Sequence, residues 1–140
     1  MSLDTYSPAF LDLAYRPDLH QLTGRWQYST TDAEMHQGYD ALRRAALHYN
    51  CGNWLIDSRR CLNRCLSRLV WVTDRCLPQV QRELGTPLRI GFLVLPDYLN
   101  GLPASASVPV PDAAVRMTLF IDEGAAGSWL AQQQRELASR

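Results

Sequence analysis

The chain contains no lysine: all 14 of its basic residues are arginine, and 14 acidic residues bring the formal net charge to zero. A neutral chain lacks the global field that draws proteins to nucleic acid or to an anionic membrane. Neither is expected as a partner. An arginine-only complement suits planar contacts to carboxylate or phosphate, although a compositional bias of the source genome is the simpler account of it. Long apolar runs are also missing. No stretch reaches the roughly 18 residues that a membrane-crossing helix needs, and no basic-then-apolar leader opens the chain. The expectation is a soluble, cytoplasmic protein with no membrane insertion.

Metal-binding and catalytic signatures are equally scarce. The four cysteines, Cys51, Cys61, Cys65 and Cys76, form no Cys-x-x-Cys pair, and no closely spaced histidine pair follows them. Cys61 and Cys65 stand one helical turn apart, half of a metal site at most. Small buried thiols in a reducing compartment fit the pattern better. His20, His36 and His48 do not share metal spacing with carboxylates or thiols, the one-turn pair Asp32 and His36 being insufficient. No phosphate-cradling glycine loop occurs and no nucleophile–base–orienter set is visible. We therefore expect no metal, no cofactor and no catalytic residues. The enzyme reading would gain ground only if a pocket gathered, for example, His20, His48, Cys51 and Asp57.

What the sequence does contain is the pattern of one α/β domain spanning residues 1–140, long enough to fold without disulfides or metal. Ala9 to Tyr15 and Leu19 to Tyr28 alternate with a period of two on either side of the turn signal Arg16-Pro17-Asp18, predicting an antiparallel hairpin. Thr31-Asp32-Ala33-Glu34 is a capping box. The helix behind it carries the stripe Met35, Tyr39, Leu42, Ala46, Tyr49 and stops at Asn50-Cys51-Gly52, with glycine suited to a left-handed cap. Trp54-Leu55-Ile56 is a short core strand. Leu62, Leu66, Leu69, Thr73, Leu77, Val80 and Leu84 keep helical spacing, with Ser67 a candidate start and Pro78 expected to kink the helix or begin a new turn. Leu88 to Leu95 reads as a strand covered on both faces. Residues 96–114, rich in proline, glycine, serine and alanine, read as a long mobile loop, a lid or plain disorder. Val115 to Ile121 is the last strand. Asp122 caps a final helix with the stripe Ala126, Trp129, Leu130 and Leu137.

This order predicts an α/β fold: a single-layer, mixed, mostly parallel sheet of about five strands, an N-terminal antiparallel hairpin, and about three to four helices. The order, together with two local patterns, resembles small bacterial STAS-like domains, the fold of anti-sigma-factor antagonists and of the SpoIIAA-like group. One pattern is Leu55-Ile56-Asp57-Ser58. The other is Phe120-Ile121-Asp122-Glu123-Gly124-Ala125-Ala126-Gly127-Ser128-Trp129-Leu130, similar to the strand, acidic cap, Ala-rich turn and Trp-Leu pair that close many SpoIIAA-like proteins. The resemblance implies a regulatory domain in which Ser58 would stand where the antagonists carry a phosphorylated serine. In those antagonists another small hydroxyl residue and a glycine follow the serine; here Arg59 and Arg60 occupy those places.

Asp57, Ser58, Arg59 and Arg60 are the candidate ligand or switch site, since ligands of open α/β sheets gather at the carboxyl ends of the strands. The cluster offers a carboxylate, a hydroxyl and two guanidinium forks for an anion. The plainer reading is that Asp57 accepts from loop amides or pairs with Arg59 while Ser58 caps the next turn. Arg60, Arg64 and Arg68 would form a basic ridge if helical, with Arg75 further along, or simply a solvated face. Trp71, with Trp54 and Trp129, is a candidate for a subunit interface, consistent with a homodimer. The expected function is non-enzymatic binding of a protein partner or a small anionic or lipid-like ligand at 57–60. The alternatives are a switch controlled by phosphorylation of Ser58, and an enzyme with 96–114 as its lid.

Overall fold

A computed structural model describes residues 8–61, 70–97 and 114–138. Five strands lie in sequence order: β1 (Leu11–Arg16), β2 (Gln21–Trp26), β3 (Asn53–Asp57), β4 (Leu88–Leu93) and β5 (Val115–Phe120). β1 pairs antiparallel with β2, and every later pairing is parallel. The fold class is thus the expected α/β one, a single mixed sheet with an N-terminal hairpin.

The helices bounded within the described residues are α1 (Asp32–Tyr49), α2 (Leu77–Leu84) and α3 (Glu123–Ala138). Right-handed crossovers between strands added in one direction put their helices on one face. Accordingly, α1 and α2 bury Leu42, Ala46, Leu77 and Val80 with Leu22, Trp54, Ile56, Ile90 and Phe92 in the larger core. The next residues along β3 and β4 point the other way. Leu55 and Leu93 pack with Ala126 and Leu130 of α3 in a second, smaller core. Every residue of β3 and β4 is buried, as expected for central strands covered on both sides.

Local chemistry sets the boundaries. The turn after β1 runs to His20, with Leu19 N–H donating to the Arg16 carbonyl and His20 N–H to that of Pro17. His20 is left-handed at φ +47°, and its Nδ1 lies 2.8 Å from the Tyr15 hydroxyl. The capping box is formed at both ends: Glu34 N–H donates to Thr31 Oγ1 at 3.1 Å and Thr31 N–H to Glu34 Oε1 at 2.9 Å. Met35, Tyr39, Leu42 and Ala46 are buried along the expected stripe, while Tyr49 stacks on Tyr15 at 4.1 Å. Gly38, between them, lets the Trp26 ring approach so closely that a Cβ would lie 2.3 Å from it.

The end of α1 departs from expectation. Asn50, not glycine, takes the left-handed position at φ +50°. Asn tolerates that geometry. Gly52 serves a different purpose, since a Cβ there would meet the Pro87 carbonyl oxygen at 2.3 Å.

Before α2 the helix widens into a π-helical turn, Val72–Cys76, in which Leu77 N–H donates to the Val72 carbonyl. Proline has no N–H to donate and its ring collides with the carbonyl four residues back. Widening the turn just ahead of Pro78 relieves that collision, and α2 restarts with proline in its first turn. The stripe residues Leu62, Leu66 and Leu69, the candidate start Ser67, Cys65, and Arg64 and Arg68 of the ridge lie outside the described residues. So does the 96–114 segment except Pro96, Asp97 and Ala114. No helix among the described residues is long and apolar enough to cross a membrane.

Candidate functional site

Asp57 ends β3 on the face that α3 covers, in register with Arg25 of β2. The backbone beyond it is fixed: Ser58 N–H donates to the Leu93 carbonyl at 2.9 Å, and the Ser58 carbonyl accepts from Cys61 N–H at 3.1 Å. That turn sends Arg59 back over Asp57. Arg59 donates to Asp57 Oδ1 from its backbone N–H (3.1 Å) and Nε (2.9 Å), and to Oδ2 from Nη2 (2.8 Å). Arg25 Nη1 reaches the same Oδ2 at 2.9 Å. The aspartate, its side chain only 12 % exposed, is thus tied down by two guanidinium groups.

Arg25 also faces outward. Its Nη1 and Nη2 donate to Glu123 Oε1 and Oε2 at 2.9 and 3.0 Å, a parallel fork of the kind that makes arginine–carboxylate pairs directional. Glu123 opens α3, where a negative charge favours the helix dipole, and its Oε1 lies 3.7 Å from Arg59 Nη2. Asp122 accepts from Ala125 N–H at 2.8 Å, so the acidic cap expected there is present and holds Glu123 at the sheet end.

Arg60 is arranged differently. Its Nη1 donates to Gln27 Oε1 at 3.0 Å, and Gln27 is oriented by donating its amide to the Arg25 carbonyl at 3.0 Å. Among the described residues no carboxylate lies within ion-pair distance of Arg60. A cleft of about 480 Å³ opens between these groups, lined by Asp12, Arg25, Trp26, Gln27, Asp57, Arg59 and Arg60.

The ionisations follow from this geometry. Burial pushes the Asp57 carboxyl up, but the Arg59 side chain and amide, with Arg25, outweigh it and hold the group below the usual carboxylate range. Arg25 first, and Arg59 after it, hold Glu123 low against its partial burial. Both acids are charged near neutrality, so neither is poised as a general acid. The cleft offers guanidinium donors around the fixed Asp57 carboxylate, which suits an oxyanion.

The candidate residues therefore meet in part. Asp57, Arg59 and Arg60 line one cleft, whereas Ser58 is buried beside it. Arg25, Gln27 and Glu123 were not singled out from sequence. Arg25 sits in an alternating strand beside Trp26, the one signal that marked its face. Trp54 is no interface residue: it is fully buried, its indole N–H donating to the Cys51 carbonyl at 3.0 Å. Trp71 stacks on His36 with ring centroids 4.1 Å apart and meets Tyr39 edge-on. Trp129 packs against Phe120.

The example grouping of His20, His48, Cys51 and Asp57 is split. Cys51 precedes β3, its thiol donating to the His20 carbonyl at 3.3 Å, while Asp57 lies at the far end of that strand. Burial pushes the Cys51 thiol up, away from the reactive thiolate. No cluster of three potential metal ligands occurs among the described residues. Comparisons with protein-family models, curated proteins and solved structures gave no match.

Proposed function

We propose that this chain is a non-enzymatic, STAS-like binding domain whose ligand is a small oxyanion, a phosphate or a carboxylate, taken up in the cleft at the carboxyl ends of β2 and β3. The observation that carries the reading is Arg60. It lines the cleft beside Arg25 and Arg59, and among the described residues its side chain has only the neutral Gln27 amide as partner. A guanidinium held in that way has donors to spare for an anion. The order of elements along the chain, an antiparallel hairpin and then parallel strands with helices between them, is the order on which the resemblance to the SpoIIAA-like group rests. Binding suits the residues better than chemistry, because Asp57 and Glu123 are charge-paired and the buried Cys51 is held as a thiol.

A calorimetric titration with inorganic phosphate and with acetate, on wild type and Arg60→Gln, tests this. Saturable uptake by wild type, weakened about tenfold or more in the variant, supports the reading, since one charge-assisted hydrogen bond commonly carries that much. Equal uptake by both proteins, or none by wild type, refutes it.

A further inference from the structure

The Arg25 fork is already occupied, and by a carboxylate. Arg25 gives both Nη atoms to Glu123 at 2.9 and 3.0 Å, the two-point geometry that guanidinium offers equally to a planar carboxylate or to two oxygens of a phosphate. The two acids on Arg25 are held very differently. The Asp57 side chain is 12 % exposed and accepts from Arg25 and from three donors of Arg59. The Glu123 side chain is 48 % exposed, stands in the first turn of α3, and does not line the cleft. Its half-exposed side chain can be replaced on Arg25 without unburying a charge. The charges agree. Among the described residues Arg25, Arg59 and Arg60 are matched by Asp12, Asp57 and Glu123, so the arginine cluster carries one net positive charge once Glu123 leaves Arg25.

We propose that Glu123 is an internal stand-in for the ligand: an incoming phosphate or carboxylate takes the outer fork of Arg25, with Arg59 Nη2 beside it, in exchange for the Glu123 carboxylate, and the Glu123 side chain is thereby released from the sheet end. The inference rests on the reading of the cleft as an oxyanion site and adds how that site is regulated. No covalent bond changes; Arg25 keeps a bidentate partner before and after. The exchange makes wild-type affinity weak, because each ligand competes with a tethered carboxylate at high local concentration.

Glu123→Gln keeps the shape and removes the competing charge. Asp122→Asn removes the same charge one residue away, and asparagine still caps a helix. In titrations with inorganic phosphate and with acetate, Glu123→Gln is expected to bind about threefold to tenfold more tightly than wild type, while Asp122→Asn changes little. A response to phosphate alone marks a phosphoryl ligand and a response to acetate alone a carboxylate, and either supports the exchange. If wild type binds but Glu123→Gln gains nothing, or Asp122→Asn gains as much, the exchange is overturned and the cleft remains a binding site. If no protein binds either probe, both readings fall. A second readout needs no variant. In wild-type protein the side-chain carboxyl carbon of Glu123 should shift along the same binding curve as Arg25 Nε, and a Glu123 signal that stays fixed during saturable binding overturns the exchange.

Discussion

Arg25 and Asp57 are register partners on adjacent parallel strands, and their side chains meet at 2.9 Å on the face that α3 covers. Because Arg59 closes over the same carboxylate, Asp57 is the common anchor of both arginines. Asp57→Asn keeps the shape but leaves two guanidinium groups without their shared charge. The expected loss is about 1–3 kcal/mol of stability, read as a lower urea midpoint at unchanged slope. A variant as stable as wild type would show that the anchor is not energetically used.

The pH dependence follows in sign from the same contacts. The Asp57 and Glu123 carboxyls lie below their ordinary range in the folded protein. Their contribution is fully present above the unfolded value, about 4, and is lost as pH falls through the lower folded values. Asp57 should carry most of it, since the more exposed Glu123 pair is screened by solvent. Urea midpoints measured at neutral pH and again near pH 3 should therefore differ less for Asp57→Asn than for wild type. An equal drop in both would place the acid sensitivity elsewhere.

Gly38 and Trp26 make a separate prediction. A Cβ at position 38 would overlap the indole, and α1 has no freedom to retreat while Leu42 and Ala46 stay buried. Overpacking of this kind costs about 1–3 kcal/mol, enough to exceed the gain in helix propensity that alanine brings. Gly38→Ala should thus melt below wild type, with weakened tryptophan near-ultraviolet dichroism. A more stable variant would mean that the sheet–helix spacing is looser than described.

Thiol reactivity separates a binding domain from an enzyme with a cysteine nucleophile. Burial pushes Cys51 up, and burial pushes Cys76 up to about 12. Alkylation at mild alkaline pH, mapped by peptide mass, should leave both residues unmodified in the native protein and label them after unfolding. Rapid native labelling of Cys51 would revive the catalytic reading.

Much of this arrangement was legible in the residues themselves, for physical reasons. Thr31 with Glu34 and the apolar stripe behind them are local signals, and α1 starts where they point. Leu88 to Leu95 declared a doubly covered strand by its near-continuous apolar run, of which β4 takes Leu88–Leu93, and Leu55-Ile56-Asp57 located a strand end. Arg25 and Glu123 were hidden, because their partnership spans 98 residues of chain and no local pattern encodes it. Asn50 was passed over for Gly52, since spacing alone does not distinguish a residue needed for positive φ from one needed for close approach to Pro87. Pro78 announced a disturbance but not its form, the π-helical turn ahead of it.

The most direct test of the oxyanion site is a phosphate titration of the wild-type protein followed through its arginine side-chain Nε–H resonances. The account predicts saturable shifts at Arg25, Arg59 and Arg60 with one common dissociation constant, while Arg16, paired with Asp18 on the far side of the hairpin, does not move. Shifts of similar size at Arg16 and at the cleft arginines, or none that saturate, would contradict it.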